Sequence, residues 1–158
     1  ASLTASAWST NTENFASTNY VNFDFHTLGK IGDQYVGITS TGIFILTGDK
    51  DVNDNIEAQF LTGFDDFGIE FEKNVEKVYL GYRSSGDLTL LTNVDGEERQ
   101  RENEVRHKTH ADGLRRARVG LGKGVRSKYW QTGLKNCVGA DFEIESLSAL
   151  YRQLSRKI

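Results

Sequence analysis

The order of apolar and polar residues along the chain follows mainly a period of two. Val21, Phe23 and Phe25 alternate with polar residues, as they do in a strand with one buried face. Two short runs, 34–38 and 42–46, flank a turn that ends in glycine, and this spacing predicts a β-hairpin. A polar loop follows, and residues 56–62 and 69–71 again have the pattern of extended chain.

The second half of the chain continues this pattern. Val78, Leu80 and Tyr82 fall on one face of a predicted strand, and the next predicted face carries Leu88, Leu90 and Thr92. An Asp-Gly turn signal at 95–96 precedes a charged segment, for which a solvated strand pair is favoured over a helix. Further strands are expected in three segments, 117–121, 129–134 and 142–144.

Turn signals recur about every 8–12 residues, which favours two packed sheets or one closed sheet. We predict an all-β fold, an antiparallel β-sandwich with a jelly-roll-like arrangement. Residues 1–55 are expected to form an N-terminal strand and hairpin, and residues 56–158 the sandwich, in one compact unit overall.

The end of the chain has a different pattern. Its apolar residues recur at spacings of three and four, which is a helical period; they are Leu147, Leu150, Tyr151, Leu154 and Ile158. A short C-terminal helix is therefore an alternative to a last strand.

Composition excludes several protein classes. The 158 residues include one cysteine and no proline, so an intrachain disulfide framework and a proline-rich linker are both excluded. Proline removes a donor from a strand ladder, so its absence suits a chain that is mostly paired strand. No segment approaches the roughly 20 apolar residues of a membrane span, and the first residues do not resemble a secretory signal.

The net charge of −3 hides two unlike halves. Residues 1–80 hold 4 basic and 12 acidic side chains, which is 4 − 12 = −8, and residues 81–158 hold 15 and 10, which is 15 − 10 = +5. Such a split indicates binding partners of opposite charge; it does not indicate a particular fold.

Two segments have the residue types of metal sites. Asp49-x-Asp51-x-Asn53-x-Asn55 alternates oxygen ligands, but a calcium loop starting at Asp49 needs Gly and Glu where Asp54 and Phe60 stand, so a polar turn is favoured. In a strand His107 and His110 point to opposite faces, whereas in a helix they converge and could hold zinc together with Asp112; solvated histidines are favoured. We therefore predict no metal site and no cofactor.

The densest basic stretch holds Arg115, Arg116, Arg118, Lys123, Arg126 and Lys128, and Tyr129-Trp130 follow it. Basic and aromatic residues together are typical of single-strand binders, but a pI of about 5.6 argues against nucleic acid. Trp130 alternates with Leu134 and is expected in the core. The three glycines between 120 and 124 match no phosphate-loop motif.

The residues provide no support for an enzyme. No Ser-His-Asp order, carboxylate pair or nucleophile elbow occurs, and Cys137 is expected to be a small buried or half-buried thiol. We therefore predict no catalytic residues and a non-enzymatic role.

Several motifs together resemble structural proteins of tailed bacteriophages, particularly minor tail and tail-tip components. The main match is the stretch Val-Gly-Leu-Gly-Lys-Gly-Val-Arg-Ser-Lys-Tyr-Trp-Gln at 119–131, followed by Gly-Ala-Asp-Phe at 139–142. Upstream, the hairpin at 35–44 and the segments 61–63, 66–68 and 78–81 are similar to the same proteins. The resemblance covers most of residues 30–158 and favours a final strand over a helix.

The resemblance implies a virion component that is made in the host cytoplasm and contacts other tail proteins and copies of itself. Basic residues 115–128 of one subunit would then meet acidic residues of the next subunit, head to tail. The acidic candidates are Asp49, Asp51, Asp54, Asp65 and Asp66.

Two alternatives to a tail component remain. One is a carbohydrate-binding module for the host surface, with Trp8, Tyr20, Tyr82 and Tyr151 as stacking candidates; the other is a capsid decoration protein.

Overall fold

The computed structural model describes residues 6–21, 23–48, 50–51, 53–106 and 113–157. Every regular element in these ranges is a β-strand, so the predicted all-β class is confirmed. The described residues contain no helix with the length and apolar character of a membrane span. Contacts divide the chain into a first unit, Ala1–Gly48, and a second unit, Asp49–Ile158; the sequence interpretation drew its boundary after residue 55.

The first unit consists of a two-stranded ribbon and a three-stranded antiparallel sheet. The ribbon pairs β1 (Ser6–Thr10) with β2 (Ser17–Val21), and the sheet has β3 (Thr27–Ile31), β4 (Gln34–Ile38) and β5 (Ile43–Ile45) in that order. Strands β4 and β5 are the predicted hairpin, which is confirmed: Val36 pairs with Ile45, and the Thr39 amide donates to the Gly42 carbonyl at 2.9 Å.

The described residues of the second unit form nine strands. They are β6 (Lys50–Asp51), β7 (Asp54–Asn55), β8 (Gln59–Leu61), β9 (Phe71–Ser84), β10 (Leu88–Val94), β11 (Arg101–Val105), β12 (Arg115–Gly120), β13 (Trp130–Asn136) and β14 (Phe142–Lys157). One sheet has the order β11-β10-β13-β8, a second has β12-β9-β14, and β6 pairs with β7 in a small ribbon. All the pairings are antiparallel.

Both larger sheets contribute side chains to one apolar cluster, as in a β-sandwich. Val78, Leu80 and Tyr82 of β9 are buried, as the alternation predicted. Leu88 and Leu90 of the other sheet belong to the same cluster, and the pairing of β10 with β13 puts Trp130 and Leu134 on that inner face. Complete burial of such a side chain stabilises the fold by roughly 1.5–3 kcal/mol.

The alternative of a C-terminal helix is wrong, because residues 142–157 form the 16-residue strand β14. The strand pairs with β9, and its register shifts at three points. Leu147, Ala149 and Tyr151 pack against the core, whereas Leu150 is exposed. Apolar residues on both faces of the strand therefore produced the spacing that resembled a helix.

Candidate interaction surfaces

The basic residues of the candidate interface do not share one face. In β12 the side chains alternate, so Arg116 and Arg118 lie exposed on the outer face while Arg115 is half-buried on the side of Ala117 and Val119. Lys123 and Arg126 are exposed in the loop that follows β12. Lys128 is half-buried, with its ammonium 5.1 Å from the centre of the Tyr129 ring.

The acidic candidates are also separated. Asp54 is exposed on β7, whereas Asp65 and Asp66 belong to the turn after β8. Their carboxylates accept hydrogen bonds from the amides of Phe67 (2.6 Å) and Gly68 (2.9 Å), the Asx turns expected of such residues. Asp49 and the side chain of Asp51 lie outside the described residues.

The metal-like motifs of the sequence gain no support. Asp54 and Asn55 pair with β6 as strand, and His107, His110 and Asp112 lie outside the described residues. Within the ranges given above, no group of three His, Cys, Asp or Glu side chains could hold a metal ion. Cys137 is a half-buried free thiol 3.3 Å from the Thr89 hydroxyl, as predicted.

Lys73 is the one fully buried charged side chain among the described residues. Its ammonium donates to the carbonyls of Asp66 (2.7 Å), Ile69 (3.1 Å) and Lys128 (2.7 Å), so all three protons have acceptors. Desolvation on burial lowers the pKa of Lys73, Asp66 acts to raise it, and Lys128 lowers it further. The side chain therefore fastens two loops to the start of β9.

The turn held by Lys73 has a strained backbone. Phe67 has a φ of 52°, in the left-handed region that bulky residues avoid. Its ring lies parallel to that of Tyr151 on β14, with 5.4 Å between their centres, and the Lys73 ammonium lies 5.7 Å from the ring centre. Such a conformation persists where its surroundings hold it.

A cleft of about 330 Å³ opens beside this turn. The turn lines one side with Thr62, Phe64 and Asp65, and β14 lines the other with Leu147, Ser148 and Ala149. The buried Trp130 lies in its wall, with the indole N–H donating to the Ser127 carbonyl at 3.2 Å. The cleft therefore has an apolar interior with hydroxyls and one carboxylate around it.

The first unit leaves most of its large apolar side chains exposed. Val36 is its one buried hydrophobic side chain among the described residues, and ten large ones are exposed. The strand register puts four isoleucines on the same sheet face as Val36, and 36% to 61% of each remains accessible; they are Ile31, Ile38, Ile43 and Ile45. We call this surface the isoleucine face.

The opposite face of that sheet is packed with aromatic rings. The Phe25 ring lies so close to Gly37 that a Cβ there would be 2.4 Å from it. Phe23 and Phe25 meet edge to face at 4.8 Å, and Phe44 is 6.1 Å from Phe25. The rings thus cover the centre of this face, while Leu28 and Tyr35 on the same face remain 58% and 61% exposed.

The four aromatic residues proposed for sugar stacking have different surroundings. Trp8 is 71% exposed and Tyr20 is 47% exposed, but they point to opposite faces of the β1–β2 ribbon. Tyr82 is buried in the core, and one face of Tyr151 is covered by Phe67. Trp8 and Tyr20 therefore remain as separate candidates, and Tyr82 is excluded.

The sequence reasoning missed Lys73 and the cleft. The sequence does contain a signal for Lys73. It lies two residues from both Phe71 and Val75, so in a strand its side chain points to the same face as these apolar side chains. No local signal marked the cleft, because its walls come from segments up to 87 positions apart, residues 62 and 149.

Comparison of the chain with protein-family models, with curated proteins and with solved structures found no match.

Proposed function

We propose that this protein is a non-catalytic structural component of a tailed-bacteriophage virion. It would belong to the tail, in the tip or baseplate region, and act through contacts with other tail proteins and with copies of itself in assembly or host attachment. The motifs that resemble minor tail proteins suggest the setting, and the exposed isoleucine face is the structural observation that supports this role.

The isoleucine face supports the proposal because a unit of 48 residues has little apolar surface to bury within itself. Contiguous exposed apolar surface in a folded protein generally marks an interaction site. The strands of this face place no charged side chain on it. It is thus suited to a protein surface rather than to solvent or an ionic ligand.

Localisation of the protein in intact particles tests the proposal. An antibody against the purified chain should label purified virions at one end of the tail in electron micrographs. Label over the head would instead establish the capsid decoration alternative. If the chain were absent from purified particles, a virion role would be ruled out.

A substitution on the isoleucine face should block incorporation into particles. Ile43→Lys adds a charge at a side chain that is 61% exposed, so we expect little loss of stability but at least about tenfold less protein in particles, because the charge would be buried in the contact. Quantitative immunoblotting of particles made with the variant measures this. Ser40→Lys, in the exposed turn of the same hairpin, is the control; equal incorporation of both variants would contradict the assigned contact.

Charge reversal on the outer face of β12 tests the predicted contact between basic and acidic surfaces. Arg116→Glu with Arg118→Glu should weaken assembly about tenfold at low salt, and less at high salt, because exposed ionic contacts are screened. Arg115 is left unchanged because it points inward. Sedimentation at two salt concentrations is the measurement, and Arg99→Glu with Arg106→Glu, an equal change in net charge, is the control. Assembly that is unaffected at both salt concentrations would show that the exposed arginines of β12 contact solvent and no other subunit.

The carbohydrate-binding alternative now depends mainly on Trp8, whose ring is largely exposed and could stack on a sugar. A glycan array with the wild-type chain and Trp8→Ala separates the two functions. Binding that Trp8→Ala abolishes would favour the host-surface function over a purely structural one.

A further inference from the structure

Strand β14 is a long edge strand. It pairs with β9 along one side, and no described strand pairs with its other side. An unpaired edge presents a row of backbone donors and acceptors to any strand that can lie beside it, and proteins usually shorten, twist or charge such edges. At 16 residues, β14 is the longest of the described strands.

The middle of β14 lacks these protective features. Residues 146–151 read Ser-Leu-Ser-Ala-Leu-Tyr and carry no charge. Register shifts occur on either side, between Ile144 and Ser146 and between Leu150 and Tyr151, but residues 146–150 pair regularly with residues 81–77 of β9. The middle of the edge is therefore regular, uncharged and able to accept another strand.

The charges on the two ends of β14 point to the partner. Glu143 and Glu145 lie near the start of the strand and Arg152 near its end, and all three are exposed. Within the chain Glu143 pairs with Arg83 and Arg152 with Glu76, each at 2.8 Å, so a second copy would add to these surface ion pairs or exchange with them. When two copies of one strand pair antiparallel, the start of each lies beside the end of the other. The acidic end of one β14 would then lie beside Arg152 of a second copy, while the uncharged middles pair.

The other edge strands are unsuited to the same contact. Strand β12 has three arginines in six residues, so two copies of it would bring like charges together. Strand β8 has three residues, and β11 has three charged residues in five. Among the described edges of the two larger sheets, β14 is therefore the one compatible with self-pairing.

We propose that β14 pairs antiparallel with β14 of a second copy of this chain, across a two-fold axis near Ser148. The two three-stranded sheets then join into one sheet of six strands. A two-fold axis is the commonest symmetry of protein dimers, and it uses the same surface on both copies. The inference deepens the proposed function. It rests on that function in one respect, since both give the protein a role in assembly through its surfaces.

The cleft beside β14 gives the added strand room. Leu147 and Ala149 point toward the core and line the cleft together with Phe64 and Trp130. A strand laid along β14 carries its own Leu147 and Ala149 over this opening, since paired residues of adjacent strands face the same side of a sheet. The pairing would therefore bury apolar side chains as well as satisfy the backbone.

Substitutions at Ser148 test the two-fold geometry, because this exposed residue would lie close to Ser148 of the second copy. Ser148→Asp and Ser148→Arg should each weaken dimerisation at least about tenfold by repulsion between like charges, and an equal mixture of the two should restore it. Sedimentation velocity of the purified full chain is the measurement, with Ser40→Asp and Ser40→Arg as controls that stay dimeric.

Hydrogen exchange of the wild-type chain provides a measurement that needs no variant. Dilution below the dissociation constant should speed amide exchange in β14 and leave β12 unchanged. A wild-type chain that is monomeric at about 100 µM would overturn the pairing. So would Ser148 variants that remain dimeric, or a mixture of Asp and Arg variants that remains monomeric.

The pairing and the proposed function can fail separately. If the chain is monomeric but an antibody still locates it on the tail, the pairing is ruled out and the structural role is supported. If the chain dimerises and the Ser148 variants behave as expected, but the protein is absent from particles, the virion role is ruled out and the pairing is supported.

Discussion

Replacement of Lys73 by alanine should lower the free energy of unfolding by about 2–5 kcal/mol, a large share of the roughly 5–15 kcal/mol that stabilises a typical domain. The ammonium provides three hydrogen bonds, to the carbonyls of Asp66, Ile69 and Lys128. Removing a donor from a buried acceptor costs about 1–3 kcal/mol, since water does not replace it. The alanine also leaves a cavity where the alkyl chain was packed.

Urea denaturation followed by tryptophan fluorescence measures this loss. Lys73→Met separates its two causes, because methionine fills most of the volume but donates no hydrogen bond. Lys77→Ala is the control, a half-buried lysine four residues along the same strand, which should change stability by about 0.5 kcal/mol or less. Equal effects at positions 73 and 77 would show that the three carbonyls do not depend on the ammonium.

The loss of Lys73 should also release the strained turn. Phe67 keeps its positive φ because the Asx turns and the Lys73 ammonium hold the surrounding chain. Since Phe67 stacks on Tyr151, loosening the turn should expose the cleft side of β14. Faster amide exchange at residues 65–69 in Lys73→Met would show that the side chain acts on this turn as well as on global stability.

Gly133→Ala should destabilise the second unit by about 3 kcal/mol, because the new methyl group collides with backbone atoms of the next strand. A Cβ at position 133 would lie 2.1 Å from the Phe60 carbonyl oxygen and 2.7 Å from a Leu61 methyl carbon. The strand has a neighbour on each side, since Gly133 pairs with Leu61 of β8 and with Leu91 of β10. Strand β8 would have to move away from β13.

Thermal unfolding of Gly133→Ala against Gly120→Ala tests this expectation. Both glycines lie in strands, but a Cβ at Gly120 would meet nothing within 4 Å. The alanine there restricts the unfolded chain and should be neutral or stabilise by up to about 1 kcal/mol. If both variants unfolded at the same temperature, the close approach of β8 and β13 would not exist in solution.

The alternation of side chains was enough to predict much of the fold. It placed Leu88 and Leu90 in the core and identified Trp130 as buried, because side chains of a strand alternate between its faces whatever strand lies beside it. The same rule, applied to β12, separates Arg115 from Arg116 and Arg118. The basic residues were predicted to form one face because they follow one another closely along the chain. Closeness in sequence does not give the direction in which each side chain points.

The C-terminal segment shows where local periodicity is insufficient. Leu147, Leu150, Tyr151 and Leu154 fit a helix in the sequence, but hydrogen bonding to β9 makes the segment a strand. That bonding comes from a strand about 70 residues earlier in the chain. A pattern within a dozen residues carries no information about it.

Residue types and local periods were enough to establish the all-β class, the inward faces of the central strands and the uneven distribution of charge, because each of these is a local property of the chain. Three features came from the folded arrangement alone: the polar side chain that is buried among carbonyls, the strand that remains an edge and the position of the cleft. Those features depend on the order of strands in a sheet, and strand order is set by contacts between distant segments. The burial of Lys73 and the open edge of β14 therefore appeared only when the strands were paired.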